Sequence, residues 1–112
     1  MKTIAGAVAV LFVLFGTTCA YATGLSVYWK PLTMSLDACV ARAAQALRGQ
    51  GLSVYKSGQD TDANGAFGYA WGENAQYDMV VECIQRQALV VFFITGPDDA
   101  RLAIRNAVSA QF

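Results

Sequence analysis

Hydrophobic side chains are most concentrated near the end of the chain, in residues 88–95 (ALVVFFIT). The run is short, rich in β-branched and aromatic side chains, and bounded on both sides by polar and turn-forming residues. This pattern predicts a strand that is buried on both of its faces. We therefore expect residues 88–95 to form the middle strand of a sheet.

Two other segments carry hydrophobic residues at the spacing of a helix. The first, residues 36–48, follows Ser35 as a favourable N-cap and ends before Gly49. The second begins after Pro97, has two acidic residues in its first turn, and continues to the end of the chain. Each helix has a single apolar stripe, so we expect each to pack one side against a sheet.

Four further segments predict strands, namely residues 25–29, 52–55, 66–71 and 76–84. Lys30 and Pro31 follow the first strand, and the proline either ends it or places it at a sheet edge. The order β-α-β-β-β-β-α predicts an α+β domain in which two helices cover one face of a largely antiparallel sheet. This pattern resembles a ferredoxin-like arrangement with additional strand material.

The beginning of the chain has the features of a secretory signal peptide. Lys2 supplies a positive charge, residues 4–15 are apolar, and Ala20 and Ala22 occupy the positions that signal peptidase reads. We expect cleavage after Ala22, leaving residues 23–112 as one periplasmic or secreted domain. An uncleaved membrane anchor and a lipoprotein modified at Cys19 are the alternatives.

Cys39 and Cys83 are the two cysteines that remain after this cleavage. An even number of cysteines in an oxidising compartment predicts a disulfide bond between them. The bond would close a loop of roughly 45 residues and stabilise the fold by about 4 kcal/mol in the chain-entropy model. Two separate buried thiols are the alternative.

Composition excludes several functions. The whole chain has 8 basic and 8 acidic residues, so it lacks the positive field that attracts nucleic acid. It has no histidine, which removes the most common general base and metal ligand. Asp78 and Glu82 are four residues apart on a predicted strand, about 13 Å, too far for a glycosidase pair. We expect no catalytic residues, and an enzyme without histidine chemistry remains the weaker alternative.

Phe67, Tyr69 and Trp71 alternate with small residues in the segment 66–71. In a strand, the three aromatic side chains point to one face and the small residues point to the other. If the small residues pack under the helices, the aromatic side chains form a surface for a protein, peptide, glycan or apolar ligand. The alternative places the three rings in the core, or has them only shield the sheet beside Tyr77 or Val80.

Asp60, Asp62, Asn64 and Gly65 match the first half of a calcium-binding loop. The second half does not match, because Trp71 occupies the position of the bidentate glutamate. A polar hairpin turn at Asn64-Gly65 explains the same residues. A weak calcium site is therefore an alternative function, and no other cofactor is expected. The function that we expect from the sequence is that of a non-catalytic binding module for a partner or ligand in the cell envelope.

Overall fold

The computed structural model describes residues 24–112. The expected signal peptide, its cleavage site and Cys19 lie outside this range. The described chain contains seven elements in the predicted order: β1 (Gly24–Pro31), α1 (Leu36–Gly49), β2 (Ser53–Asp62), β3 (Gly65–Glu73), β4 (Asp78–Ile84), β5 (Leu89–Gly96) and α2 (Asp98–Ser109).

The five strands form one sheet in the order β1-β5-β4-β3-β2, and every neighbouring pair is antiparallel. The protein is therefore an α+β fold, as the sequence predicts, and the ferredoxin-like strand order is not confirmed. β1 and β2 lie at opposite edges, so α1 connects two strands that do not pair with each other. The position of β1 agrees with the expectation from Pro31.

The prediction for the apolar run near the chain end was wrong in two respects. β5 lies next to the edge strand β1, and β4 is the middle strand. In addition, only alternate residues of β5 are buried: Val90, Phe92 and Ile94 are inaccessible, whereas Val91 and Phe93 are half-buried. An apolar residue type therefore did not guarantee full burial on this strand, because the second face of β5 is only partly covered.

β2 is longer than predicted. It continues through the polar segment to Asp62 and pairs with β3 along its whole length. Its outer edge has no partner strand within the described residues, and most of its side chains are exposed. Hydrophobic alternation is therefore weak there, and sequence patterning identified only its first residues. α2 ends at Ser109, before the end of the chain.

α1 packs on the sheet at the small residues of β3. Ala70 is fully buried, and the glycines two residues before and after it leave little or no room for a side chain next to α1. A Cβ atom on Gly68 would overlap Cγ2 of Val40, and one on Gly72 would lie 3.3 Å from the side chain of Leu47. Small residues thus bring the helix close to the strand.

A disulfide bond joins Cys39 of α1 to Cys83 of β4, with 6.4 Å between the Cα atoms. Both residues are fully buried within the core. The pairing predicted from the cysteine count is confirmed. The bond connects the first helix to the middle strand, next to the contact between α1 and β3.

α2 is held mainly against β1 and β5. Arg101 Nε donates to Ser26 Oγ at 2.8 Å, and Arg101 Nη1 donates to the Gly96 carbonyl at 3.0 Å. At the other end of the helix, Lys30 Nζ donates to the Ser109 carbonyl at 3.0 Å, a favourable place for a cation. These contacts attach α2 to the β1 edge of the sheet.

Removal of the disulfide should destabilise the fold substantially. For the Cys39→Ser plus Cys83→Ser variant, we expect the free energy of unfolding in urea to fall by up to about 4 kcal/mol, because the unfolded chain gains loop entropy. Reductant should destabilise the wild-type protein in the same way and leave the variant unchanged. Free thiols in the unreduced mature protein would contradict the bond.

Gly68→Ala should also destabilise the fold, by about 1–3 kcal/mol, because its methyl group overlaps Val40. Val40→Ala should recover much of this loss in the double variant, and a double-mutant cycle in urea measures the coupling. Strictly additive effects of the two substitutions would show that α1 does not pack against Gly68.

Candidate binding surface

The sheet has one face that is largely exposed or half-buried, and we call it the aromatic face. Cross-strand pairing places the following side chains on it: Leu25, Val27 and Trp29 from β1; Leu89, Val91, Phe93 and Thr95 from β5; Asp78, Val80, Glu82 and Ile84 from β4; Phe67, Tyr69, Trp71 and Glu73 from β3; Lys56, Asp60 and Asp62 from β2. Tyr55 joins them through its contacts with Trp71 and Asp78. The face thus extends over all five strands.

The aromatic side chains predicted from the sequence lie on this face. Phe67 and Tyr69 are half-buried, and Trp71 is 36% exposed. They do not occupy the core, because the small residues that alternate with them lie under α1. The rings therefore lie outside the core, and Trp71 lies beside Val80, a position that both sequence interpretations allow. A binding role for Phe67, Tyr69 and Trp71 stays a prediction.

Pairing between strands joins these rings to residues that sequence analysis did not select. Trp71 lies opposite Val80, which lies opposite Phe93, which in turn lies opposite Val27. A parallel row connects Tyr69 through Glu82 and Val91 to Trp29, which is 63% exposed. Alternation within β1 could have identified Val27 and Trp29 as neighbours on one face, but only the pairing with β5 puts them beside the β3 rings.

A β-bulge brings two residues of β2 onto Trp71. The pairing shifts between Val54 and Lys56, so that one extra residue, Tyr55, lies between them. The Tyr55 ring meets the Trp71 ring edge-on, with centroids 6.2 Å apart. Lys56 Nζ lies 5.3 Å from the Trp71 ring centroid and 5.8 Å from that of Tyr69, within the range of cation–π attraction.

Three small, open cavities surround these rings. One, of about 180 Å³, lies between Tyr55, Trp71 and Phe93, with Asp78 at its side. A second, of about 160 Å³, lies on the other side of Trp71 and is lined by Lys56, Asp60, Phe67, Tyr69, Trp71 and Glu82. The third, of about 200 Å³, extends from Phe67 and Glu82 to Asp62 and Asn64. All three are smaller than typical small-molecule pockets, which suits them to individual side chains or rings of a larger partner.

The calcium-loop residues lie at the end of the β2–β3 hairpin. Asp60 and Asp62 belong to strand β2, where the Asp62 carboxylate accepts a hydrogen bond from the Asn64 amide at 2.7 Å. The Asp60 carboxylate accepts one from the Thr61 amide at 2.8 Å. Among residues 24–112, no three His, Cys, Asp or Glu side chains are grouped to hold a metal ion. This geometry agrees with the hairpin interpretation, and calcium binding by Asp60, Asp62 and Asn64 stays a prediction.

A cavity of about 330 Å³ also lies between the helices, lined by Arg42, Gln45, Ala46, Gly49, Gln50, Ala107 and Gln111. It contains no acidic side chain and no nucleophile, and the Arg42 guanidinium donates to the Gln111 carbonyl at 3.3 Å. Its lining therefore offers no group for acid–base or covalent catalysis.

Comparison with protein families, curated proteins and solved structures finds no match to this chain. Within residues 24–112, no helix is long and apolar enough to cross a membrane. The disulfide bond suggests an oxidising, extracellular compartment. Functional conclusions therefore depend on the aromatic face itself.

Tyr55 and Asp78 provide a direct test of the geometry at the edge of this face. Partial burial raises the pKa of the Tyr55 phenol above 10.0, and the nearby Asp78 carboxylate, which accepts its hydrogen bond at 3.2 Å, raises the pKa further. The negative charge of Glu73 acts in the same direction. The stability that this arrangement contributes is therefore complete below the pKa of an unfolded tyrosine and is lost as the pH rises through the raised pKa.

Asp78→Asn should lower the pKa of Tyr55, because it removes the adjacent negative charge and leaves the effect of burial. Tyrosinate absorbance between pH 8 and 13 measures the change, and Tyr55→Phe identifies which transition belongs to this residue. The matched control Asp99→Asn, on α2, should leave the transition in place. An unchanged Tyr55 transition in Asp78→Asn would mean that the two side chains do not meet.

Proposed function

We propose that this chain is an exported, non-catalytic binding module whose aromatic face docks on a partner in the periplasm or outside the cell. The observation that carries this proposal is the continuous row of exposed and half-buried rings and aliphatic side chains across five strands. Small soluble domains normally cover such a surface, because exposing it to water is costly. A partner that buries these side chains would recover that free energy.

We infer that both helices cover the opposite face of the sheet and so leave the aromatic face accessible. Several contacts support this arrangement. The disulfide and Gly68 connect α1 to positions that alternate with the aromatic ones. Lys30 and Ser26 of β1 bind α2 through hydrogen bonds, and both residues alternate with Val27 and Trp29, so they point to the side of the sheet opposite the aromatic face. The ring of Phe112, just after α2, packs against that of Phe92, with 5.3 Å between the ring centroids. Phe92 is buried and points away from the aromatic face, which its strand neighbours Val91 and Phe93 join.

Export is part of the same proposal. The apolar segment 4–15 and the small residues Ala20 and Ala22 support a cleaved signal peptide, and the disulfide favours an oxidising destination. In that setting, the partner is an envelope protein, a peptide or a glycan. A non-catalytic role is supported by the absence of histidine from the sequence and by the small size of the cavities around the rings.

Photo-crosslinking in the producing cell tests this function. A photoreactive phenylalanine analogue at Val27 or Trp29 should form a specific crosslinked product, because both side chains lie on the aromatic face. The same analogue at Leu102 of α2, which is 49% exposed, is the matched control and should form none. Trp71→Ala plus Tyr69→Ala should remove the product. Equal crosslinking from α2, or none from either face position, would refute the proposal.

A further inference from the structure

Acidic side chains are unevenly distributed between the two sides of the molecule. Five of the eight acidic residues in the chain occupy positions on the aromatic face: Asp60, Asp62, Glu73, Asp78 and Glu82. Lys56 is the one basic residue at a strand position on that face, and the side chain of Arg86, from the turn between β4 and β5, lies beside Gly65 at the end of the face. The helices carry four arginines, Arg42, Arg48, Arg101 and Arg105. The aromatic face is thus negatively charged in a chain whose total charge is zero.

These carboxylates are available to a partner. Residues 24–112 contain one ion pair among themselves, between Arg101 and Asp98 at the start of α2. None of the five carboxylates on the aromatic face therefore forms an ion pair with a lysine or arginine of this range. Glu82 lies at the centre of the face, between Tyr69 on β3 and Val91 on β5, and lines two of the cavities around Phe67. A half-buried carboxylate surrounded by apolar side chains attracts a cation more strongly than one in open water.

The chain's own cation shows how this surface accommodates positive charge. The Lys56 ammonium lies over the rings of Tyr69 and Trp71 and shares a cavity with Asp60 and Glu82. Rings for cation–π contact and carboxylates for charge pairing are therefore present in one place. Guanidinium groups use both interactions well, because they are planar and can stack while they pair.

We infer that the partner of the aromatic face is a basic, arginine-rich segment of a polypeptide. This inference rests on the proposed function, since it names the class of partner for the same face. The central strands β4 and β5 are roughly seven residues long, about 24 Å, so an extended peptide segment of about seven residues would span the face along them. Arginine side chains would enter the cavities beside Trp71 and Phe67, and their stems would cover the aliphatic side chains.

Other occupants are less compatible with these charges. A second copy docked face to face would bring five carboxylates, Lys56 and Arg86 against the same set, a net negative charge on each side that is electrostatically unfavourable. A neutral glycan would stack on the rings and leave the five carboxylates without cations. An anionic lipid surface would be repelled. Only a cationic partner satisfies the rings and the carboxylates together.

Isothermal titration calorimetry of capped hexa-arginine with the mature, disulfide-bonded protein, at 50 and at 300 mM salt, tests the inference. We expect saturable binding that weakens at least tenfold in the higher salt. Glu82→Gln plus Asp60→Asn should weaken binding at least tenfold, whereas Lys56→Met should strengthen it several-fold. Asp37→Asn plus Asp99→Asn changes the net charge by the same amount on the helices and should have little effect.

Several results would overturn the inference. One is that hexa-arginine shows no saturable binding. Another is that Asp37→Asn plus Asp99→Asn weakens binding as much as Glu82→Gln plus Asp60→Asn does. A third is that capped hexa-glutamate or neutral maltohexaose binds as tightly as hexa-arginine. Self-association abolished by Trp71→Ala would identify a second copy as the occupant instead. If the crosslinks from Val27 and Trp29 persist while hexa-arginine fails, the binding function stands and only the class of partner is wrong. If the crosslinks are absent, the binding function itself fails.

Discussion

The close approach of α1 to the small residues of β3 determines how the sheet uses its two sides. Gly68, Ala70 and Gly72 leave room for the helix, and the disulfide from Cys39 to Cys83 holds it in place. Because side chains alternate along a strand, this contact directs Phe67, Tyr69 and Trp71 to the other side. A slip of one residue in β3 would force three aromatic rings under the helix, where there is no space for them.

The aromatic face then has to remain soluble while it exposes hydrophobic side chains. Charged residues interspersed among the rings serve this purpose, since each must lose water before two such faces can associate. Glu82 is the most central of them, between Tyr69 and Val91. The same charges that oppose self-association favour a partner of opposite charge. Solubility and selectivity thus come from one set of residues.

The β-bulge at Tyr55 extends this surface beyond the reach of regular strand geometry. Without it, Tyr55 and Lys56 would point to opposite sides of β2. With it, both side chains contact Trp71, one through a ring edge and one through an ammonium group. The surroundings of Trp71 are therefore built by two neighbouring residues on β2 and by the cross-strand residue Val80.

The amino-acid sequence determined the elements and the covalent link. Periodicity identified both helices and the succession of strands along the chain, because each element has a characteristic spacing of hydrophobic residues, but it did not give the order of the strands within the sheet. The cysteine count gave the correct disulfide. Sequence reasoning missed the length of β2, whose edge position gives it little alternation, and the place of β5, since an apolar composition does not reveal how many neighbours cover a strand.

Only the tertiary structure decided which side of each strand is buried. The pentapeptide at residues 24–28 is identical to that at residues 51–55, yet Leu25 is 61% exposed on the aromatic face and Leu52 is 2% exposed in the core. Alternation divides a strand into two sides without assigning either to the core. That assignment comes from pairing and helix packing between residues far apart in the chain, which no local pattern contains.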